Sequence, residues 1–472
     1  MAIPTETLHL IHQDIAVQYR IVPKQLVGNV LSVYADEEQI GNGLSDELQV
    51  VLNYDIALEP LSKVEINRLL AVYYLKNENE NHSEQLSAIS ANDDFLTVLI
   101  NEAKKLKSSD IHIETFEQKA RVRVRIDGMM IERYQVGKED YPALVNKIKI
   151  MANLDIAEKR LPQDGRIHYK HNNDAAFDIR VSVLPTLHGE KVVLRLLSSS
   201  STNIDLNTLG LSADDMHHYM QGVQRPNGII LISGPTGSGK TTTLYATLKL
   251  LNKSTRNILT IEDPIEYTLE GINQVQLREN IGLGFASALR TFLRQDPDVI
   301  MVGEIRDSET ANMAIRAALT GHLVLSTIHT NSAWGTVSRL IDMGIPSFLV
   351  ANTLNTTVAQ RLVRLLCPAC KQQVGFQGEG YPKQFTPPVK LQHQFVAKGC
   401  SQCYFTGYKG RKAVYEVIPI DAELAFEIKQ ENMYIDEHLK KRNIKTLGQN
   451  AFELFANGET SLEEIFPLLL HI

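Results

Sequence analysis

Cysteine and tryptophan are almost missing from this chain: its 472 residues include four of the first and one of the second. The four cysteines fall in two C-x-x-C pairs, and in a reducing compartment such pairs favour a metal over a disulfide. No apolar run approaches the roughly 20 residues of a membrane span. The opening residues, Met1-Ala-Ile-Pro-Thr-Glu-Thr7, lack the basic-then-apolar pattern of a secretory signal. A cytosolic protein is expected, with docking on a membrane protein left open. Basic excess is absent too. The formal net charge of −7 argues against a general nucleic-acid-binding surface. No internal repeat of fixed period occurs. What remains is ordinary for well-cored domains, 43% hydrophobic over a length that suits about three of them.

The most specific chemistry lies in Gly234-Pro-Thr-Gly-Ser-Gly-Lys-Thr241. This is the full G-x-x-x-x-G-K-[ST] pattern, set between an apolar strand over 228–233 and a helical stretch over 242–251. Its glycines let backbone N–H groups turn inward on phosphates, and the helix N-terminus adds its dipole and free donors. The binding set is Gly234, Pro235, Thr236, Gly237, Ser238, Gly239, Lys240, Thr241 and Thr242. Lys240 is expected on the β/γ-phosphates and Thr241 on Mg²⁺.

Around this loop the chain divides by composition. Residues 1–76 read as a small mixed domain, with a strand over 28–34 and an amphipathic helix over 61–74. It either docks a partner or caps the next domain. Residues 77–92 are polar and aperiodic, a linker. Residues 93–197 read as an α+β domain. There Asp93 or Asp94 caps a helix whose apolar positions include Phe95, Val98, Leu99, Ala103 and Leu106. The run Arg121-Val-Arg-Val-Arg-Ile126 alternates, sending Val122, Val124 and Ile126 inward and Arg121, Arg123 and Arg125 outward; 177–183 alternates likewise. The outward arginines read as a solvated face, phosphate contact being the alternative. A second linker is expected over 198–206. The phosphate-binding domain then fills 207–472, with a cysteine module over 367–411 and C-terminal helices over 420–472.

Two later apolar runs end in acids. Asn257-Ile-Leu-Thr-Ile261 runs into Glu262-Asp263-Pro264, and Asp298-Val-Ile-Met-Val runs into Gly303-Glu304. In a parallel sheet, acids at strand carboxyl ends point into the ligand crevice. Such an acid holds the Mg²⁺ shell or orients an attacking water. Two of them downstream of an intact P-loop make hydrolysis the leading reading. A third run, over 321–332, places Ser326, Thr327 and His329 at another strand end, where His329 is suited to sense a γ-phosphate. Arg290, Arg294 and Arg306 are further candidates for phosphate contact or subunit coupling.

Taken together, these motifs resemble the ATPases that power bacterial type II secretion and type IV pilus assembly. Residues 234–241 are similar to that family's Walker A motif, Ile261-Glu-Asp-Pro-Ile-Glu266 to its aspartate box, 293–307 to its Walker B region and 320–331 to its histidine box. Upstream, Ser108-Ser-Asp-Ile-His-Ile-Glu114, Leu161-Pro-Gln-Asp-Gly-Arg166 and Phe177-Asp-Ile-Arg180 resemble the family's second N-terminal domain. The resemblance implies an α/β fold: a RecA-like P-loop motor with a zinc-binding insertion, preceded by small α+β domains. It also implies a homohexamer that hydrolyses ATP with Mg²⁺ and works peripherally at the inner membrane on platform proteins; the acidic charge and the lack of a basic aromatic patch add the expectation that no nucleic acid is bound. The implied task is pseudopilus assembly in type II secretion, with pilus extension as the alternative. A nucleic-acid-translocating ATPase, against which the acidic charge speaks, and a non-catalytic nucleotide-binding scaffold, against which the acids at 262 and 304 speak, are the remaining rivals. Glu262 and Glu304 become the catalytic and metal-shell acids, without saying which polarises the water. His329 becomes the γ-phosphate sensor, and Arg166 and Arg180 become arginines that reach a phosphate.

Cys367-Pro-Ala-Cys370 and Cys400-Ser-Gln-Cys403 suit tetrahedral Zn²⁺ held by four thiolates. The interval between the pairs exceeds the commonest zinc-ribbon spacing, and unliganded thiols or a redox pair remain alternatives. Residues 399–411 resemble the family's tetracysteine motif, which marks its secretion and pilus-extension branches and implies a structural metal.

Overall fold

The computed structural model describes residues 95–170, 176–197, 205–376 and 380–470, and most of 7–70 apart from 8–9, 12, 38–39, 42, 53, 64 and 67–68. The expected linker over 77–92, Asp93, Asp94 and most of the linker over 198–206 lie outside the described residues. The chain forms two compact units. One takes residues 1–199 with 366–372 and 396–409, the other 200–365, 373–395 and 410–472.

The first unit opens with a three-stranded sheet. Strand β1 (Ile21–Val27) pairs antiparallel with β2 (Val30–Asp36), which pairs parallel with β3 (Asp55–Leu61) across helix α1 (Leu44–Leu52). Gly28 makes the β1–β2 turn at φ 62, so the expected strand over 28–34 begins two residues late. Leu61 closes β3 rather than opening the expected helix.

A six-stranded antiparallel sheet follows, in order β6-β5-β4-β9-β8-β7. Its strands are β4 (Asp110–Thr115), β5 (Ala120–Ile126), β6 (Met129–Val136), β7 (Gln163–Tyr169), β8 (Phe177–Thr186) and β9 (Gly189–Leu197). Two-residue periodicity sends Ile111, Ile113, Val122, Val124, Ile179, Val181 and Leu194 into one core. Helices α2 (Phe95–Lys105) and α3 (Tyr141–Met151) cover that face. The buried stripe of α2 is Leu96, Leu99, Ile100 and Ala103, whereas Val98 is exposed. Of the apolar positions expected there, Leu99 and Ala103 are buried and Phe95 and Leu106 pack partly buried against the same core, so Val98 alone falls outside the stripe.

In the second unit a seven-stranded sheet runs in order β12-β11-β13-β14-β10-β15-β18. Its members are β10 (Gly228–Ser233), β11 (Ile258–Glu262), β12 (Asn273–Gln276), β13 (Val299–Val302), β14 (Leu323–Ile328), β15 (Leu354–Leu366) and β18 (Tyr408–Pro419). Five neighbouring pairs, from β12 across to β15, are parallel. A parallel sheet needs cover on both faces. Accordingly Ile229 and Leu231 enter one core while Ile230 and Ile232 enter another. Helices flank it: α4 (Ala213–Val223), α5 (Lys240–Leu251), α6 (Phe285–Phe292), α7 (Ser308–Leu319), α8 (Gly335–Asp342), α9 (Ala422–Lys429), α10 (Leu447–Ala456) and α11 (Leu462–Leu469). A separate two-stranded sheet joins β16 (Gln372–Gly375) and β17 (His393–Val396). Among the described residues no helix is long and apolar enough to cross a membrane.

Candidate nucleotide site and cysteine centre

The P-loop leaves the end of β10 and enters α5. Three of its glycines take positive φ, Gly234 at 149°, Gly237 at 82° and Gly239 at 88°. Gly239 caps α5 in the left-handed region, a conformation that strains residues with a Cβ. The loop closes on itself through Lys240, whose ammonium donates to the carbonyls of Gly234 at 2.7 Å and Pro235 at 3.1 Å. Burial pulls the Lys240 pKa below its usual value, while the negative charge of Glu304 works against that fall. The buried Ser238 hydroxyl has no partner. Thr241 is exposed and Thr242 half-buried on the first turn of α5; Pro235, Thr236 and Gly237 are exposed. A cationic side chain, an orphaned hydroxyl and the free N–H groups of a helix start fit a nucleotide's phosphates. The exposed Thr241 hydroxyl fits a Mg²⁺ ligand.

Strand register decides what faces this loop. Ser233 pairs with Ile328, Ser326 with Val302, and Val302 with Ile261. The residues just past these strands therefore emerge at one level: Gly234, His329, Glu304 and the aspartate box. Glu304 is the hub. It pairs with the Arg306 guanidinium and lies 3.5 Å from His329 Nε2. Arg306 also reaches Asp263 at 3.9 Å. The hydrogen bond from Arg306 to Glu304 raises the Arg306 pKa.

Glu262 is placed differently. It is 3% exposed. One carboxylate oxygen accepts Thr260 Oγ1 at 2.6 Å and Gln274 Nε2 at 3.0 Å, and the other accepts the Tyr245 hydroxyl. Burial, then the nearby Glu262 charge, pushes the Tyr245 phenol well above its usual value. Ser326 and Thr327 are likewise spent on structure, donating to the carbonyls of Val302 and Gly303 at 2.8 Å each. Arg290 pairs with Glu309 and Arg294 bonds the Arg290 carbonyl; neither bond joins the Glu304 cluster.

In the first unit, Arg166 of β7 stands directly opposite Arg180 of β8. Arg166 is exposed and bonds Asp178, which also meets His168 at 3.0 Å. Partial burial raises the Asp178 pKa, but these bonds outweigh it and hold the carboxyl below the usual range. Arg121, Arg123 and Arg125 do not form the solvated face expected of them. Arg121 and Arg123 bond Glu114 at 3.0 and 2.8 Å, and Arg125 lies 3.6 Å from Asp110. The cause is that Glu114 and Asp110 are themselves buried, and a buried carboxylate requires cationic partners.

Cys367, Cys370, Cys400 and Cys403 bring their sulfurs within 4.8 Å of one another. Three separations are 3.9, 3.7 and 3.8 Å. Tetrahedral Zn–S bonds of about 2.3 Å would set sulfurs about 3.8 Å apart. Backbone N–H groups of Cys400 and Gly407 point at Cys403 Sγ at 3.2 and 3.3 Å, as they do at a thiolate. The donor set fits four-coordinate zinc with no open position. The long interval between the pairs has a packing reason. Within it Phe376, Tyr381 and Phe385 stack against Phe452 and Phe455 of α10, with ring centroids 5.4–6.4 Å apart.

Sequence reasoning passed over Gln360, Arg361 and Glu416. Glu416 is fully buried and accepts the backbone N–H groups of Ala333 at 2.8 Å and Leu447 at 3.0 Å. Burial pushes its carboxyl pKa up despite these bonds. The available signal was polar residues inside otherwise apolar strands.

A P-loop after an interior strand of a covered parallel sheet, facing acids and a histidine at neighbouring strand ends, defines a P-loop nucleotide-binding motor fold. The family model for type II/IV secretion system proteins matches residues 87–467, and the chain belongs to that family. It is 42% identical to the type IV pilus assembly ATPase PilB of Myxococcus xanthus over 98% of this chain and 86% of the relative. It is 47% identical to the type II secretion system protein E of Pseudomonas aeruginosa over 79% of this chain and 74% of the relative. Among solved structures, the pilus retraction motor PilT with bound ADP is similar with a TM-score of 0.53 at 26% identity, covering 78% of this chain and 95% of that one. The Legionella pneumophila ATPase DotB shares the fold with a TM-score of 0.60 at 21% identity, over 80% of this chain and 96% of that one.

Proposed function

We propose that this protein is a Mg²⁺-dependent ATPase that powers type II secretion by driving pseudopilus assembly at the inner membrane. The observation that carries the reading is Glu304, held by Arg306 and facing His329 at the strand end level with the P-loop. In this reading Lys240 neutralises the β/γ-phosphates and Thr241 ligates Mg²⁺. Glu304 accepts a proton from the attacking water, and His329 contacts the γ-phosphate. Glu262, saturated by buried donors, holds the aspartate-box loop in place rather than meeting the water. Arg166 and Arg180, adjacent across β7 and β8, supply positive charge to a phosphate within a homohexamer. Zinc is structural, and the membrane is reached through platform proteins rather than by the chain itself.

Lys240→Ala is expected to lose nucleotide binding or turnover; parental ATP hydrolysis by this variant would sink the assignment. A second reading, pilus extension, is favoured by the pilus assembly relative, whose similarity runs through 98% of the chain. Deleting the gene separates the two. Exoproteins trapped in the periplasm with normal filaments support secretion, and lost filaments with normal secretion support pilus extension.

A further inference from the structure

Strand β15 runs parallel to β10, with Ala359 opposite Ser233, so its next two residues lie beside the start of the P-loop. Successive strand residues point to opposite faces. Gln360, 2% exposed, faces the loop and helix α5. Its Nε2 donates to the Ser238 carbonyl at 2.9 Å, and its Oε1 accepts Thr243 Oγ1 at 2.9 Å. One amide thus spans the turn of the P-loop and the first turn of α5. The loop's glycines make room for it. A Cβ at Gly239 would lie 2.9 Å from Gln360 Nε2, and one at Gly234 would lie 2.5 Å from the Gln360 carbonyl.

Arg361 takes the other face. Its guanidinium donates to the Gln360 carbonyl at 3.0 Å and to the Asn331 carbonyl at 3.1 Å. Asn331 lies two residues beyond His329. Burial lowers the Arg361 pKa, and the charge of Glu416 opposes that. A planar fork joining two carbonyls fixes distance and angle together, which a lysine cannot do.

We propose that Gln360 and Arg361 are positioning residues of the phosphate site: Gln360 holds the P-loop in its cradling shape, and Arg361 sets the histidine-box loop against it. The two residues divide the work. Gln360 acts on nucleotide binding, and Arg361 acts on the chemical step through His329. The proposal rests on the reading of residues 234–241 as a nucleotide site.

The test uses the full chain with Mg²⁺–ATP, measuring the nucleotide Kd and steady-state turnover. Losing a partner to a buried polar group predicts effects of roughly tenfold. Gln360→Ala is expected to raise Kd and KM about tenfold and change kcat less than about threefold. Arg361→Ala is expected to lower kcat about tenfold or more while Kd stays within about threefold, and Arg361→Lys to recover only part of that loss. Gln360→Glu, which keeps the shape but turns an oxygen on the Ser238 carbonyl, is expected to match Gln360→Ala and serves if the alanine variant misfolds. Equal changes in Kd and kcat for both residues, or parental values for both, would overturn the proposal. Lys240→Ala run alongside separates the two failures. If it too leaves Kd and turnover unchanged, the nucleotide site itself is misassigned.

Discussion

Replacing the two strand-end acids separates a structural carboxylate from a reacting one. Glu262→Ala removes the acceptor for Thr260, Gln274 and Tyr245, all in a site that is 3% exposed. Each buried donor left without a partner costs about 1–3 kcal/mol, and relaxation lets some re-pair, so a net loss of about 3–5 kcal/mol is expected. For a unit of this size that lowers the melting temperature by roughly 6–20 °C. Glu304 is different. Its side chain is 15% exposed and its partners, Arg306 and His329, are both more than half exposed. Glu304→Gln is expected to shift the melting temperature by less than about 4 °C, because half-exposed ion pairs contribute at most about 1 kcal/mol. Its ATP turnover should fall at least about a hundredfold with nucleotide binding retained, the signature of an interaction made in the transition state. Calorimetry and a phosphate-release assay on the same preparations read both quantities. A Glu262→Ala protein that melts like the parent but no longer hydrolyses ATP would refute the division of roles.

Cys400→Ser combined with Cys403→Ser is expected to take zinc from about one ion per chain to near none by elemental analysis, with a melting temperature several degrees lower, because metal binding energy is folding energy. Unchanged metal content refutes the site. Glu114 is held at about 2, against an ordinary 4.5: burial pushes it up, but Arg123, Lys191 and Arg121 prevail. Its folded pKa lies below the unfolded one, so it contributes up to about 3 kcal/mol above pH 4.5, lost as pH falls from there toward 2. Denaturant midpoints should drop over that window in the parent and much less in Glu114→Gln; parallel curves would count against the ion-pair cluster. Gly458→Ala combines φ 68 with a Cβ that strikes the Phe395 ring, and should cost at least about 1–3 kcal/mol, read as a lower denaturant midpoint.

Part of the site was legible because its information is contiguous. Gly234 to Thr241 encode their own turn through glycine freedom and helix start, and the paired cysteines carry their ligand spacing in four residues. The apolar alternation of Val122 and Val124 was legible for the same reason, since a two-residue period is visible within a few positions. The outward arginines were misread. Nothing near Arg121 or Arg123 in sequence shows that Glu114 would be buried beneath them.

Strand-end chemistry shows the boundary most clearly. That Glu262 and Glu304 each end an apolar strand follows from local pattern alone. Which one faces His329 and which is locked beneath Tyr245 depends on how β11, β13 and β14 align and on where α5 packs. The same holds for Gln360, whose amide meets Thr243 across 117 residues of chain. Backbone conformation is set by neighbours along the chain, within reach of a motif. Partners across a sheet are set by register and by burial of both faces at once, and these exist only when the whole core has closed.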